Sequence, residues 1–333
     1  MNPIRFERLI LHPGSPKTGT SGLQNFLFRK RDALNNLGYL YPMSGIDMAS
    51  GTAKGQHSLA FSIDPNAPAQ SATFEELIEG LRSEIETDPS KTVILSSEEF
   101  FSDKRIAVLK QYLQPDACQI YVNMRPQYEV MNANYYTQVT HNRSKHIPET
   151  YFDFAINRLG YRKNIIGFSQ FAPQTEVNLR VFERGQPVRK DPIADFIKVM
   201  GIDLEYNPEE NIVEHPTLPA TATLFLRMLN DLEFSPQDFF DVFQDLHKMR
   251  PTLPKQIYTM SPGRMRAVVE AFEQDNIWLR ENFGDGKTAS LFSSPQYPDE
   301  AEWQKQVGSD LAALQQKFLG YLCARAEGRA TTS

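Results

Sequence analysis

Over the first two hundred positions, short continuous apolar runs are separated by longer stretches of helical spacing, the pattern of strands alternating with helices. Leu9, Ile10 and Leu11 form the first run, bounded by Pro13 and Gly14, and predict a central strand covered on both faces. Leu23, Phe26, Leu27, Leu34 and Leu37 then recur at helical spacing, so a helix is predicted to leave the intervening loop at Thr20. Ser21 and Gln24 stand in the S-x-x-Q arrangement of a capping box at its start. Residues 92–96, 118–124 and 177–182 predict three more strands, and 38–42 a short extended segment. Helices are predicted from His57, over 73–86, and over 103–113, 127–139, 150–168 and 193–200. Strand, helix, strand spacing implies a parallel sheet. Beyond Asn207 no strand-like run remains, and 221–232, 235–247, 261–283 and 301–323 all suit helices.

The expected architecture is therefore a three-layer α/β fold with a central parallel sheet and a helical C-terminal cover. A chain of 333 residues can bury one large core, and we expect a single domain over 1–333, with 1–206 as α/β core and 207–333 as mainly helical cover. Charge narrows the partners. The 35 Lys and Arg against 41 Asp and Glu give a net charge of −6, which argues against a general nucleic-acid binder yet permits a local basic site. Cys118 and Cys323 are too few and too far apart for a disulfide framework or a cysteine metal site, and no His, Asp or Glu grouping has metal-ligand spacing. The charged N-terminus and the lack of any run near the ~20 apolar residues of a membrane span make the cytoplasm the expected compartment, without stable membrane insertion.

The candidate chemistry starts where the first strand ends. Gly14 and Gly19 let the backbone turn and approach a ligand closely, the N–H groups of the following helix start are available to an anion, and Lys17 adds a positive charge. The segment from Gly14 through Ser15, Pro16, Lys17, Thr18, Gly19 and Thr20 to Ser21 thus reads as an anion cradle. Its glycine spacing is that of G-x-x-x-x-G-K-[ST], but the lysine precedes the second glycine instead of following it. Residues at the carboxyl ends of parallel strands converge on the ligand crevice, which brings forward Ser96, Ser97, Glu98 and Arg125.

The sequence P-K-T-G-T-[ST] after a strand resembles the 5′-phosphosulfate loop of the sulfotransferases that use 3′-phosphoadenosine 5′-phosphosulfate (PAPS), whose fold is P-loop-like. Ser96, Ser97, Glu98 and Phe100 resemble the S-S-E-x-[FL] segment of bacterial members, and Gln56 to Ala60 an H-x-L-A segment of theirs. Tyr121 to Tyr136 is similar to the second family signature, a strand, an arginine and a helix with a serine eight residues on. Arg125 occupies the arginine position, but Ala133 stands where the serine is expected, so Asn132 or Asn134 would have to supply that contact. Phe182 followed by Asp191 and Pro192 resembles a further element, with phenylalanine in place of tyrosine.

The resemblance implies that the loop and Lys17 hold the phosphosulfate, that Arg125 grips the 3′-phosphate, and that PAPS is the donor co-substrate, 3′,5′-adenosine bisphosphate (PAP) the product, with no metal required. The acceptor would be a hydroxyl of a carbohydrate, lipid or small metabolite. Its proton must leave as attack proceeds, and Glu98 or His57 would accept it. Two other readings stand beside this one: a P-loop kinase using Mg-ATP, with Ser21 and Glu98 around the metal, and a non-catalytic nucleotide or glycan binder on the same scaffold. Phe234, Phe239, Phe240 and Phe243 have the spacing of helix-to-helix packing, and 29–32 that of a solvated helix end favourable to the dipole.

Overall fold

A computed structural model describes residues 2–15, 17–48, 54–64, 72–183, 187–210, 218–232, 235–253, 258–284 and 290–330, with only the backbone at 187, 189, 210 and 321–330. Pro16, Phe234 and the Cys323 side chain lie outside the described residues. In chain order the elements are β1 (Ile4–His12), α1 (Thr20–Arg29), α2 (Arg31–Asn36), β2 (Tyr39–Leu40), α3 (His57–Ser62), α4 (Phe74–Thr87) and β3 (Thr92–Ser96). They continue with α5 (Asp103–Tyr112), β4 (Leu113–Met124), α6 (Gln127–Thr140), α7 (Pro148–Ala155), α8 (Arg162–Ser169), β5 (Gln174–Val181), α9 (Pro187–Lys190) and α10 (Pro192–Met200). The last are α11 (Ala220–Asn230), α12 (Pro236–Met249), α13 (Pro262–Ala271), α14 (Glu273–Phe283) and α15 (Glu300–Ala330).

The five strands form one all-parallel sheet in the order β2-β3-β1-β4-β5. Side chains alternate across β1, so Leu9 and Leu11 enter one layer and Ile10 the other. With Leu9 and Leu11 pack Val93, Leu95, Ile120 and Val122, covered by Leu59 of α3, Leu81 of α4, Leu109 of α5, Phe168 of α8 and Leu279 of α14. With Ile10 pack Ile94 and Tyr121, covered by Leu23, Phe26 and Leu27 of α1 and by Ile193 and Phe196 of α10. The three-layer α/β expectation is thus met. The connection out of β1 runs over one face, through α1, and those out of β2 and β3 run over the other, through α3, α4 and α5. The carboxyl end of β1 is consequently the topological switch point, where open α/β sheets bind ligands.

Packing divides the chain into two compact units. The first, 1–126 with 160–214 and 273–293, holds the whole sheet. The second, 127–159 with 215–272 and 294–333, is built from α6, α7, α11, α12, α13 and α15 around Tyr135, Val139, Phe152, Leu226, Leu246, Val268 and Leu314. Phe239 and Phe243 belong to that core, while Phe240 is exposed.

Four local expectations need correction. The first helix ends at Arg29 and a separate turn, α2, carries Leu34 inward, leaving Leu37 exposed. The stretch 150–168 splits into α7 and α8 around a 3-10 turn, with the poor helix former Gly160 in the break. The stretch 261–283 splits at Phe272. The capping box does not form, because Gly19 is itself the N-cap residue and Ser21 already lies inside the helix.

Candidate functional site

The loop between β1 and α1 departs from ordinary backbone at three positions: Gly14 (φ +54°), Lys17 (φ +67°) and Gly19 (φ +80°) all adopt the left-handed region. For Lys17 this costs on the order of 1–2 kcal/mol, so neighbouring contacts must hold it. Hydrogen bonds among the described residues close the loop, including one from the Asn123 side-chain amide to the Thr18 carbonyl (3.5 Å). Thr18 Oγ1 donates to the Ser15 carbonyl (2.6 Å), and Arg125 Nη1 donates to the Lys17 carbonyl (3.0 Å) from the end of β4. Arg125 is itself tied down where its carbonyl accepts the Tyr161 hydroxyl (2.6 Å).

Space also restricts both positions, Gly14 far more than Gly19. A Cβ on Gly14 would lie 2.5 Å from Thr20 Cγ2, and one on Gly19 3.3 Å from Pro192 and 3.5 Å from the Phe182 ring. The Phe182 and Asp191-Pro192 element therefore acts as packing beneath the loop, with Asp191 capping α10 through the Ala194 N–H (3.0 Å). Among the described residues no side chain caps α1, whose first-turn N–H groups open toward the loop.

The end of β3 supplies the acidic side. Ser97 caps the short 3-10 turn Glu98–Phe100 through the Glu99 N–H. The adjacent carboxylates part company there. Glu99 binds Arg105 (2.6 Å), which also reaches Asp64 (3.4 Å). Glu98 Oε2 instead accepts from the Gln24 side-chain amide (3.0 Å) and lies 3.8 Å from His57 Nδ1. His57 Nδ1 is 2.8 Å from Ser97 Oγ. The start of α3 is docked by Gln56, whose amide oxygen accepts the Ser96 N–H (2.8 Å) and whose amide nitrogen donates to the Pro42 carbonyl (2.9 Å). Lys17 is exposed as a residue, yet partial desolvation of its ammonium lowers its pKa, with the charge of Glu98 opposing and that of Arg125 adding.

Behind the loop, His12 is fully buried with Nδ1 2.7 Å from Ser96 Oγ. Desolvation pushes its pKa down to about 4 against a smaller opposing effect of Glu98, so the imidazole is neutral near pH 7. His12 Nε2, Ser15 Oγ, Gln24 Oε1 and Asn123 Oδ1 are all buried without a hydrogen-bond partner among the described residues. Buried polar atoms are rarely left unmatched, and these four gather at the ends of β1 and β4, in the loop and on α1.

Gly14, Ser15, Lys17, Thr18, Gly19, Thr20, Ser21, His57, Glu98 and Arg125 all belong to the first unit, and the contacts above link its loop, strand ends and α3. Asn134 is half-buried on α6 of the second unit, where Asn132 is already engaged: its side-chain oxygen accepts the Thr259 N–H (2.7 Å) and hydroxyl (2.8 Å). Sequence reasoning missed Gln24, Gln56, His12 and Asn123. For His12 and Asn123 a signal existed, since both sit at carboxyl ends of predicted strands. Among the described residues no group of three or more His, Cys, Asp or Glu side chains could hold a metal ion, and no helix is long and apolar enough to cross a membrane.

No family model matches the chain. It is 27% identical over 135 residues to an uncharacterized protein of Archaeoglobus fulgidus, a match covering 39% of this chain and only 37% of the length of that relative. Among solved structures it is similar to a sulfotransferase from Alicyclobacillus acidocaldarius, at 13% identity and a TM-score of 0.39, covering 72% of this chain and 99% of the other. It is also similar to the sulfotransferase domain from the curacin biosynthetic pathway, at 14% identity and a TM-score of 0.39, covering 81% and 98%.

Proposed function

We propose that this protein is a sulfotransferase that moves a sulfuryl group from PAPS to a hydroxyl of a carbohydrate, lipid or small-metabolite acceptor. The observation that carries the reading is the left-handed loop at the switch point, with Lys17 at its centre and the Glu98 carboxylate across from it at the end of β3. The orphaned Ser15 hydroxyl and the left-handed glycines that shape the loop fit an anionic group received there.

The loop N–H groups, Ser15, Thr18, Thr20 and Ser21 would hold the 5′-phosphosulfate. Arg125 would serve the 3′-phosphate, since a guanidinium offers a fixed bidentate fork to phosphate oxygens. In transfer the bond from sulfur to the bridging oxygen breaks as the acceptor oxygen bonds to sulfur in line. Lys17 neutralises the charge growing on the leaving oxygen. Glu98 takes the acceptor proton, with His57 beside it, and PAP departs.

The test is PAPS turnover across a panel of hydroxyl acceptors, with PAP release and sulfated product both measured. Acceptor-dependent turnover that Glu98→Gln abolishes is expected. Donor binding with no turnover on any acceptor would leave the non-catalytic reading, and phosphoryl transfer from Mg-ATP would replace the proposal with a kinase.

A further inference from the structure

Gln24 lies one turn inside α1, fully buried, on the helix whose start forms one wall of the anion loop. A buried carboxamide normally satisfies both ends, but among the described residues only the nitrogen is used, on Glu98 Oε2, and Oε1 has no partner. The group is also held in place. A Cβ on Gly55 would lie 2.9 Å from Gln24 Cδ and 3.0 Å from Nε2, and 2.5 Å from the Ser96 carbonyl oxygen, so the Gly55 backbone presses the amide between itself and the end of β3.

We infer that Gln24 is a positioning residue for Glu98, fixing which carboxylate oxygen meets the acceptor; this rests on the sulfotransferase reading above. An amide N–H can only donate, so it holds Oε2 as an acceptor. Glu98 Oε2 is thereby occupied by Gln24 with His57 Nδ1 3.8 Å away, and Oε1 is the oxygen left to take a proton. His57, whose Nδ1 meets Ser97, lies beside that same Oε2, and the two candidate bases act as one assembly. Because Gln24 rides on α1, the helix that would bind the donor's anion also sets the geometry of proton removal. A shift of about 1 Å in a reacting group can cost a hundredfold in rate, which makes such support matter.

The experiment is a double-mutant cycle on PAPS turnover with PAP affinity measured in parallel. Gln24→Met keeps the volume and removes the amide. It should lower kcat about tenfold to a hundredfold, leave PAP affinity within about twofold, and cause no additional loss in a Glu98→Gln background. The swapped variant Gln24→Glu with Glu98→Gln rebuilds the hydrogen bond with reversed polarity, so it should recover thermal stability but not turnover. An unchanged kcat in Gln24→Met, an equal loss of kcat in the Glu98→Gln background, or a parallel loss of PAP affinity would overturn the inference while leaving the sulfotransferase reading intact. A wild-type protein that binds no PAP would instead remove that reading and the inference with it. If Gln24→Met fails to fold, the conservative Gln24→Glu, whose ionised carboxylate cannot donate to Glu98, supplies the same comparison.

Discussion

Several side-chain amides are used differently in the two units. In the helical unit, Asn230 donates to the Val139 and Ser144 carbonyls and accepts from Arg143, and Asn132 takes both donors of Thr259. These amides are spent on joining segments far apart in sequence. At the loop end of the sheet, Gln24 and Asn123 are buried, yet each leaves its oxygen without a partner among the described residues, as His12 does its Nε2 and Ser15 its hydroxyl. The same contrast recurs over one residue step between Glu99, locked to Arg105, and Glu98, held by an amide beside a histidine. Thr221 Oγ1 in the helical unit is also buried without a partner among the described residues, but the loop end of the sheet gathers four such atoms.

Substitutions can break this contrast at either end. The largest effects belong to the groups placed nearest the transferred sulfuryl. Lys17→Ala should lower turnover about 10²–10³-fold, the range for removing one transition-state charge donor. Glu98→Gln should lose as much, in the range of general-base removal, while PAP affinity stays near wild type, because the carboxylate serves the acceptor. Steady-state kinetics with calorimetry separates the two.

Next in size is the pH dependence of stability set by His12. Its pKa falls from 6.5 to about 4 on folding, so the unfolded chain takes up a proton that the native protein refuses between those values. Stability should therefore fall as pH drops from about 6.5 toward 4, by about 3 kcal/mol from this group. Denaturant unfolding across that window should show a slope that His12→Gln flattens. An unchanged slope would place the responsible group elsewhere.

Gly55→Ala forces a Cβ against the Ser96 carbonyl at 2.5 Å and against Gln24. Overpacking of this kind costs about 1–3 kcal/mol, and here it should also lower turnover by displacing the support of Glu98. Asn132→Ala, in the helical unit, should cost about 1–2 kcal/mol by stranding the Thr259 donors while leaving PAP affinity within twofold. A large loss of PAP affinity in Asn132→Ala would make that amide a donor contact and blur the distinction between the two regions.

Much of the loop was legible because its chemistry is local. Gly14 and Gly19 are required by backbone geometry that neighbouring residues impose, and the apolar run at Leu9 to Leu11 shows on its own that β1 is central. Sheet order was not legible, since β2 contributes only Tyr39 and Leu40 and its pairing with β3 is a long-range event. Gln24 was misread for a physical reason. S-x-x-Q scores as a cap when the helix starts at serine, but a left-handed Gly19 starts it earlier and turns the glutamine inward toward Glu98. Gln56 likewise carries no local signal, because both its partners, Ser96 and Pro42, are distant in sequence. What the sequence leaves unseen are the side-chain contacts between elements, and those are the contacts that position Glu98.

The most direct measurement is calorimetric binding of PAP to the wild-type protein, beside ADP and ATP with and without Mg²⁺. The account predicts tight, magnesium-independent binding of PAP that falls at least tenfold in Lys17→Ala and in Arg125→Ala and is unaltered in Glu98→Gln. Preference for ATP with Mg²⁺, or PAP binding indifferent to Lys17, would contradict it.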